Sequence, residues 1–207
     1  MSDDPFNDGE KDPSKAEYEA IGRLITACSR IEVALHLLIR LMLDIDESVA
    51  RRLIGEPNSS NLQKLFIDAF AMARRTPVTA PMKKAILSLT KEIAYVYSVR
   101  DVIAHKPCYT DGTQLTFHNT ATHKKPEGLF RYECTAQQLV HLTAYTLTIA
   151  QLLLLLVTSD HQQEQTYVDA VAVLYASRDR LLLPKVPGEQ SLNSNQKPKR
   201  PPRSSAK

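Results

Sequence analysis

Apolar residues recur at steps of three and four through the first half of the chain. Ile21, Leu24, Ile25, Cys28, Ile31, Leu35, Leu38, Ile39 and Met42 share one broad stripe, which predicts a long helix from about Lys15 to Leu43. Asp46 reads as the N-cap of a short helix closed by Gly55. Pro57-Asn58-Ser59-Ser60 then leads into a helix over roughly Asn61 to Arg75. Thr79 and Pro81 start a further long helix, whose core face is Ile86, Leu89, Ile93, Val96 and Ile103. Pro107 ends it by turning Lys106 away from helical dihedrals. After that proline the period shortens. Cys108-Tyr109-Thr110, the tight turn Asp111-Gly112 and Gln114-Leu115-Thr116-Phe117 read as a hairpin, and Leu129 to Cys134 offers a third strand. Thr135 with Gln138 forms a capping box for the next helix, and a last one covers about Gln163 to Leu181. The fold expected is all-α: an up-down bundle of four to five helices with a small β-hairpin inserted after the helix that Pro107 ends.

Charge divides the chain into a body and two ends. Residues 1–12 hold five acids and one lysine, while residues 190–207 hold Lys197, Lys199, Arg200, Arg203 and Lys207 with no acid. Setting that −4 and +5 against the total of +3 leaves +2 for the rest, so the body presents no broad nucleic-acid surface. The expected organisation is a disordered acidic segment over 1–14, one helical domain over 15–183 and a disordered basic, Pro/Ser-rich tail over 184–207. Cys28, Cys108 and Cys134 lack paired spacing, so neither a disulfide framework nor a metal site is indicated. No leader pattern follows Met1, and the expected location is cytoplasmic. From Cys134 to Ser159 no residue carries formal charge, yet Gln137, His141, Thr148 and Gln151 line one side, which suits a bundle helix better than a membrane span. With six glycines in all and no glycine-rich phosphate loop, no nucleotide cofactor is expected. His118, His123, His36 and His161 have no ligand-type companions and read as surface or helix residues.

The chemistry concentrates at the end of the motif helix, in Tyr97-Ser98-Val99-Arg100-Asp101-Val102-Ile103-Ala104-His105. Arg100 interrupts the apolar stripe between Val96 and Ile103, where a guanidinium is costly unless an anion meets it. Asp101 and His105 are four apart and share an adjoining face, with Tyr97 one turn earlier. His105 sits in the last turn, where the macrodipole and Asp101 both favour its protonated form. Glu32 is the matching anomaly on the first helix, an acid four after Cys28 and three before Leu35. Two opposite charges on two core faces predict that Glu32 pairs with Arg100 across the bundle.

The run Arg100-Asp101-Val102-Ile103-Ala104-His105 resembles the signature of the HEPN superfamily, an arginine with a histidine four to six positions later. Over roughly residues 15–160 the order of elements is similar too, with Ser29-Arg30-Ile31-Glu32 on the long first helix. The resemblance implies a metal-independent endoribonuclease. Two protomers bring their motifs into one composite site, where a 2′-hydroxyl attacks the adjacent phosphate and leaves a cyclic phosphate and a 5′-hydroxyl. It also implies a homodimer, RNA as substrate and, by analogy, a toxin or defence role opposed by a cognate antitoxin. Arg100 would stabilise the phosphorane, His105 would move a proton, Asp101 would position His105, and Glu32 and Tyr97 would support them. In the family the residue after the arginine is most often asparagine; Asp101 departs from that, and its charge opposes a phosphate. Two further classes fit the same residues: a non-catalytic helical module that dimerises and binds a nucleic acid, nucleotide or protein, and a structural protein with Glu32 and Arg100 as a core ion pair.

Overall fold

The computed structural model describes residues 11–54, 59–72, 79–118, 131–158, 164–185 and Pro187. It is mostly helical, with a small three-stranded antiparallel sheet after the motif helix, as the patterning predicts. Helix α1 spans Lys15–Leu43, α2 Glu47–Ile54, α3 Ser59–Met72, α4 Ala80–His105, α5 Ala136–Thr158 and α6 Glu164–Ser177. Strands β1 Cys108–Thr110, β2 Leu115–His118 and β3 Arg131–Cys134 lie between α4 and α5. The expected closure at Gly55, the loop at Pro57, the end at Arg75, the strand start at Leu129, His123, His161 and residues 1–10, 186 and 188–207 of the terminal segments lie outside the described residues. Within those segments, in contrast, Lys11 bridges to Thr110 and Pro184 is buried.

Caps set the helix limits. Ser14 accepts from the Glu17 backbone N–H at 3.4 Å while Glu17 Oε2 accepts from the Ser14 N–H at 2.7 Å, a reciprocal box that starts α1. Asp44 ends α1 in the left-handed region at φ 53°. Thr79 caps α4 and also contacts Glu164 at the start of α6. The box predicted at α5 is present: Thr135 N–H donates to Gln138 Oε1 at 2.9 Å, and Gln138 N–H to Thr135 Oγ1 at 3.1 Å. The last helix is shorter than its periodicity suggests. It stops at Ser177, and Arg178–Arg180 tightens into a 3-10 turn.

Helix α1 is the centre of the bundle, with α5 along one flank, α3 and α4 on others, and α6 closing over α4. The buried face of α1 is Leu24, Cys28, Ile31, Leu35, Leu38 and Ile39, joined by the small residues Ala20, Ala27 and Ala34 that let α5 approach. All five residues of the predicted α4 stripe are buried. In α3 the inward residues are Leu62, Phe66 and Ala69, spaced as one helical face. The sheet runs β1-β2-β3, with Cys108 opposite Phe117 and Phe117 opposite Tyr132. Asp111 closes the β1–β2 turn: its Oδ1 accepts from the Thr113 N–H, Thr113 hydroxyl and Gln114 N–H, which holds its carboxyl down at about 2. Gly112 takes φ +92° there, a conformation that a side chain disfavours.

Helix α5 is long and apolar enough to cross a membrane by length and composition. In this fold its core side, including Leu139, Leu142, Ile149 and Leu153, is buried in the bundle, while Gln137, Thr148 and Gln151 are exposed. His141 departs from the expected wet stripe. It is half-buried, its Nδ1–H donating to the Leu181 carbonyl at 2.8 Å and its Nε2 accepting from the Gln137 amide at 2.8 Å.

Candidate functional site

The last two turns of α4 carry the motif, and the short step through Lys106 and Pro107 into β1 fixes where that helix ends. Arg100 faces α1 and keeps 29% of its side chain exposed. Its Nε is buried without a hydrogen-bond partner among the described residues. Its Nη1 donates to Asp101 Oδ1 at 3.0 Å. Burial opposes the guanidinium charge, but the Asp101 bond and the nearby charges of Asp101 and Glu32 outweigh it and raise its pKa.

This corrects two expectations. The described residues contain no ion pair between Glu32 and Arg100; Glu32 is half-buried on α1 and acts on Arg100 across space. Adjacent helical residues do not face each other, yet the arginine's length lets its guanidinium curl back to the next carboxylate. Asp101 is thereby committed to Arg100, and no hydrogen bond ties it to His105. Tyr97 differs as well: it does not lie on the outer face with Asp101 and His105 but is 2% exposed. Its hydroxyl is buried with no partner among the described residues. Burial pushes the phenol well above its ordinary value, and Glu32 and Cys28 add to that. Cys28 sits in the same crossing, where burial raises its thiol to about 12 despite Arg100. Cys28 and Glu32 of α1 therefore meet Tyr97, Arg100 and Asp101 of α4 in one electrostatic neighbourhood.

His105 is exposed. Five residues after Arg100, it stands about 140° around the helix and about 7.5 Å further along the axis. The two side chains of one chain thus leave α4 in divergent directions. Asp101, four residues before His105, shares its outer face and is also exposed.

Sequence reasoning missed a second polar cluster. Glu92 has 2% of its side chain exposed; it accepts from Tyr145 Oη at 2.9 Å and from Arg178 Nη1 at 3.1 Å. The Arg178 guanidinium lies 4.2 Å from the centre of the Tyr95 ring. The signal was available, since Glu92 interrupts the α4 stripe three after Leu89 and four before Val96, just as Arg100 does. An open groove of about 560 Å³ between α1 and α5, beside Gly22 and Arg30, contains none of the motif residues. Among the described residues no three His, Cys, Asp or Glu side chains come together as a metal-holding group.

Comparison with protein-family models, with curated proteins and with solved structures returns no match. The functional reading therefore stands on the motif and its geometry.

Proposed function

We propose that the chain is a metal-independent endoribonuclease of HEPN type that acts as a homodimer. The observation that carries the reading is the divergence of two chemically apt side chains at one helix end. A half-buried arginine with an unsatisfied Nε lies one and a half turns before an exposed histidine. A twofold dimer that joins two such helix ends would set the arginine of one protomer opposite the histidine of the other at a single phosphate. In that site His105 takes the 2′-hydroxyl proton as the oxygen attacks phosphorus. Water protonates the departing 5′-oxygen, and His105 gives its acquired proton back to solvent. Arg100 leaves Asp101 and meets the phosphorane oxygens, where charge accumulates. The products are a 2′,3′-cyclic phosphate and a 5′-hydroxyl. A toxin or defence role, held in check by an antitoxin, extends this reading.

The Asp101 contact favours a second reading, a non-catalytic helical module that dimerises and binds a nucleic acid, nucleotide or protein, because it occupies the arginine. Mixing Arg100→Ala with His105→Ala protein separates the two. Mixed dimers contain one site with both groups intact, so random assortment restores about a quarter of native cleavage. A chain that sediments as a monomer, or a mixture as inactive as its parts beside an active native protein, overturns the composite site.

A further inference from the structure

We propose that Tyr109 on β1, backed by His118 on β2, is a stacking shelf for the unpaired base beside the cleaved phosphate, so that the substrate is single-stranded or looped RNA; this rests on the ribonuclease reading above. The two rings lie nearly parallel, 12° apart in plane with their centroids 4.8 Å apart. His118, expected at the surface, is buried at 6% exposure, whereas Tyr109 is half-buried. The Tyr109 hydroxyl has no hydrogen-bond partner among the described residues and is not enclosed, so that end of the ring meets water.

Strand register puts the pair on the sheet face turned away from the core. Leu115 and Phe117 are fully buried, and side chains alternate along β2, so Thr116 and His118 point the other way. Tyr109 is opposite Thr116, Thr116 opposite Glu133, and His118 opposite Arg131. Tyr109 and His118 are thus diagonal neighbours across one ladder, near enough for rings to touch. Arg131 keeps 53% of its side chain exposed at the rim, bonded to Glu133 at 2.6 Å. The shelf also lies close to the motif. The His118 N–H donates to the carbonyl of Pro107, two residues past His105, at 3.3 Å. Tyr109 follows His105 by four residues, a span of at most about 14 Å.

Attack by a 2′-oxygen creates the need for such a shelf. That oxygen must approach phosphorus in line with the departing 5′-oxygen, a geometry that the stacked A-form backbone does not hold. A base at the reacting step therefore leaves its neighbours, and its lost stacking has to be replaced. A tyrosine ring replaces it for any base, since every base has a flat π-face. His118 fixes that ring beforehand, so little freedom is lost when a base settles on it. Charge is a poor substitute, because the body carries only +2 outside its two charged ends and Arg100 is matched by Asp101.

The test uses the full chain with Tyr109→Leu and Tyr109→Phe. A 2′-O-methyl octamer, which has no nucleophile to be cleaved, is titrated by fluorescence anisotropy at fixed salt. Beside it run an abasic strand of the same length and sugar and a duplex of the same sequence. The native chain and Tyr109→Phe should bind the base-bearing strand about 5- to 150-fold more tightly than the abasic one, the range for one stacked base. Tyr109→Leu should lose that preference and hold the abasic strand as before. Photocrosslinking of the native chain to the octamer carrying 5-iodouridine should mark Tyr109. Equal affinity of the native chain for the two strands, a preference that survives Tyr109→Leu, a duplex held as tightly as the single strand, or a crosslink confined to other residues overturns the shelf. A preference that Tyr109→Leu abolishes in a chain that cleaves no RNA upholds the shelf and defeats the ribonuclease; cleavage without any preference does the reverse.

Discussion

Asp101→Asn tests how the free protein holds its arginine. The pair is 3.0 Å long, with 29% of the Arg100 side chain and 53% of the Asp101 side chain exposed. An ion pair this open contributes about 0.2–1 kcal/mol, because water screens it and two side chains lose freedom. That amount must be given up whenever the guanidinium turns to a phosphate. Replacing the carboxylate by an amide keeps its shape and an acceptor oxygen but removes the competing charge. The variant should cleave RNA with a kcat/KM raised by a factor of about 1.4 to 5, the exponential of that energy. Its stability should fall by less than about 1 kcal/mol. The assay is initial rates on one fluorogenic oligonucleotide at fixed salt, beside a urea melt of each protein. A tenfold loss of kcat/KM in a normally folded variant refutes the reasoning, for it would make the carboxylate a partner of His105 rather than a restraint on Arg100.

Other perturbations probe the scaffold. Glu92→Ala strands Arg178 and a buried Tyr145 hydroxyl, with Arg178 still 32% exposed on its side chain. The loss belongs at the lower end of the range for a broken buried pair, about 3 kcal/mol or a melting point lower by about 6–12 °C, read by calorimetry. Tyr97→Phe deletes a buried hydroxyl that has no partner among the described residues, so its melting point should equal or exceed that of the native chain; a clear fall contradicts the assignment. The Cys28, Cys108 and Cys134 thiols are raised by burial from the ordinary 9.0 to about 12. Unfolded thiols therefore ionise where folded ones resist, so this contribution to stability is whole below about pH 9 and is lost as pH rises toward 12. Denaturant midpoints from pH 8 to 11 should fall, and a disulfide reagent at pH 8 should modify native protein far more slowly than unfolded protein.

Periodicity and caps carry most of the fold. The limits of α1 and the box at Thr135 and Gln138 are local consequences of side chains within a few residues, so they are legible in the sequence. The premature end of α6 is not local. Arg178 is drawn to Glu92, eighty-six positions away, as the helix gives way to a 3-10 turn. The candidate site divides the same way. The exposure of His105 and the inward placement of Arg100 follow from the helical stripe and Pro107. The partner of Arg100 does not, because a long side chain chooses among several anions by rotamer, and the nearest lay where helical geometry argues against contact. Tyr97 shows the reverse error: a phenol reads as amphipathic, and here the ring's packing against α1 outweighs the hydroxyl's need for a partner.

The most direct measurement is cleavage of a structured and an unstructured RNA by the purified full chain in EDTA, with Arg100→Ala and His105→Ala alongside and product ends read by mass spectrometry. The account predicts 2′,3′-cyclic phosphate ends from the native chain and a loss of at least 100-fold in both variants, at melting temperatures that permit folding. Intact RNA from the native chain, or cleavage that survives His105→Ala, contradicts it.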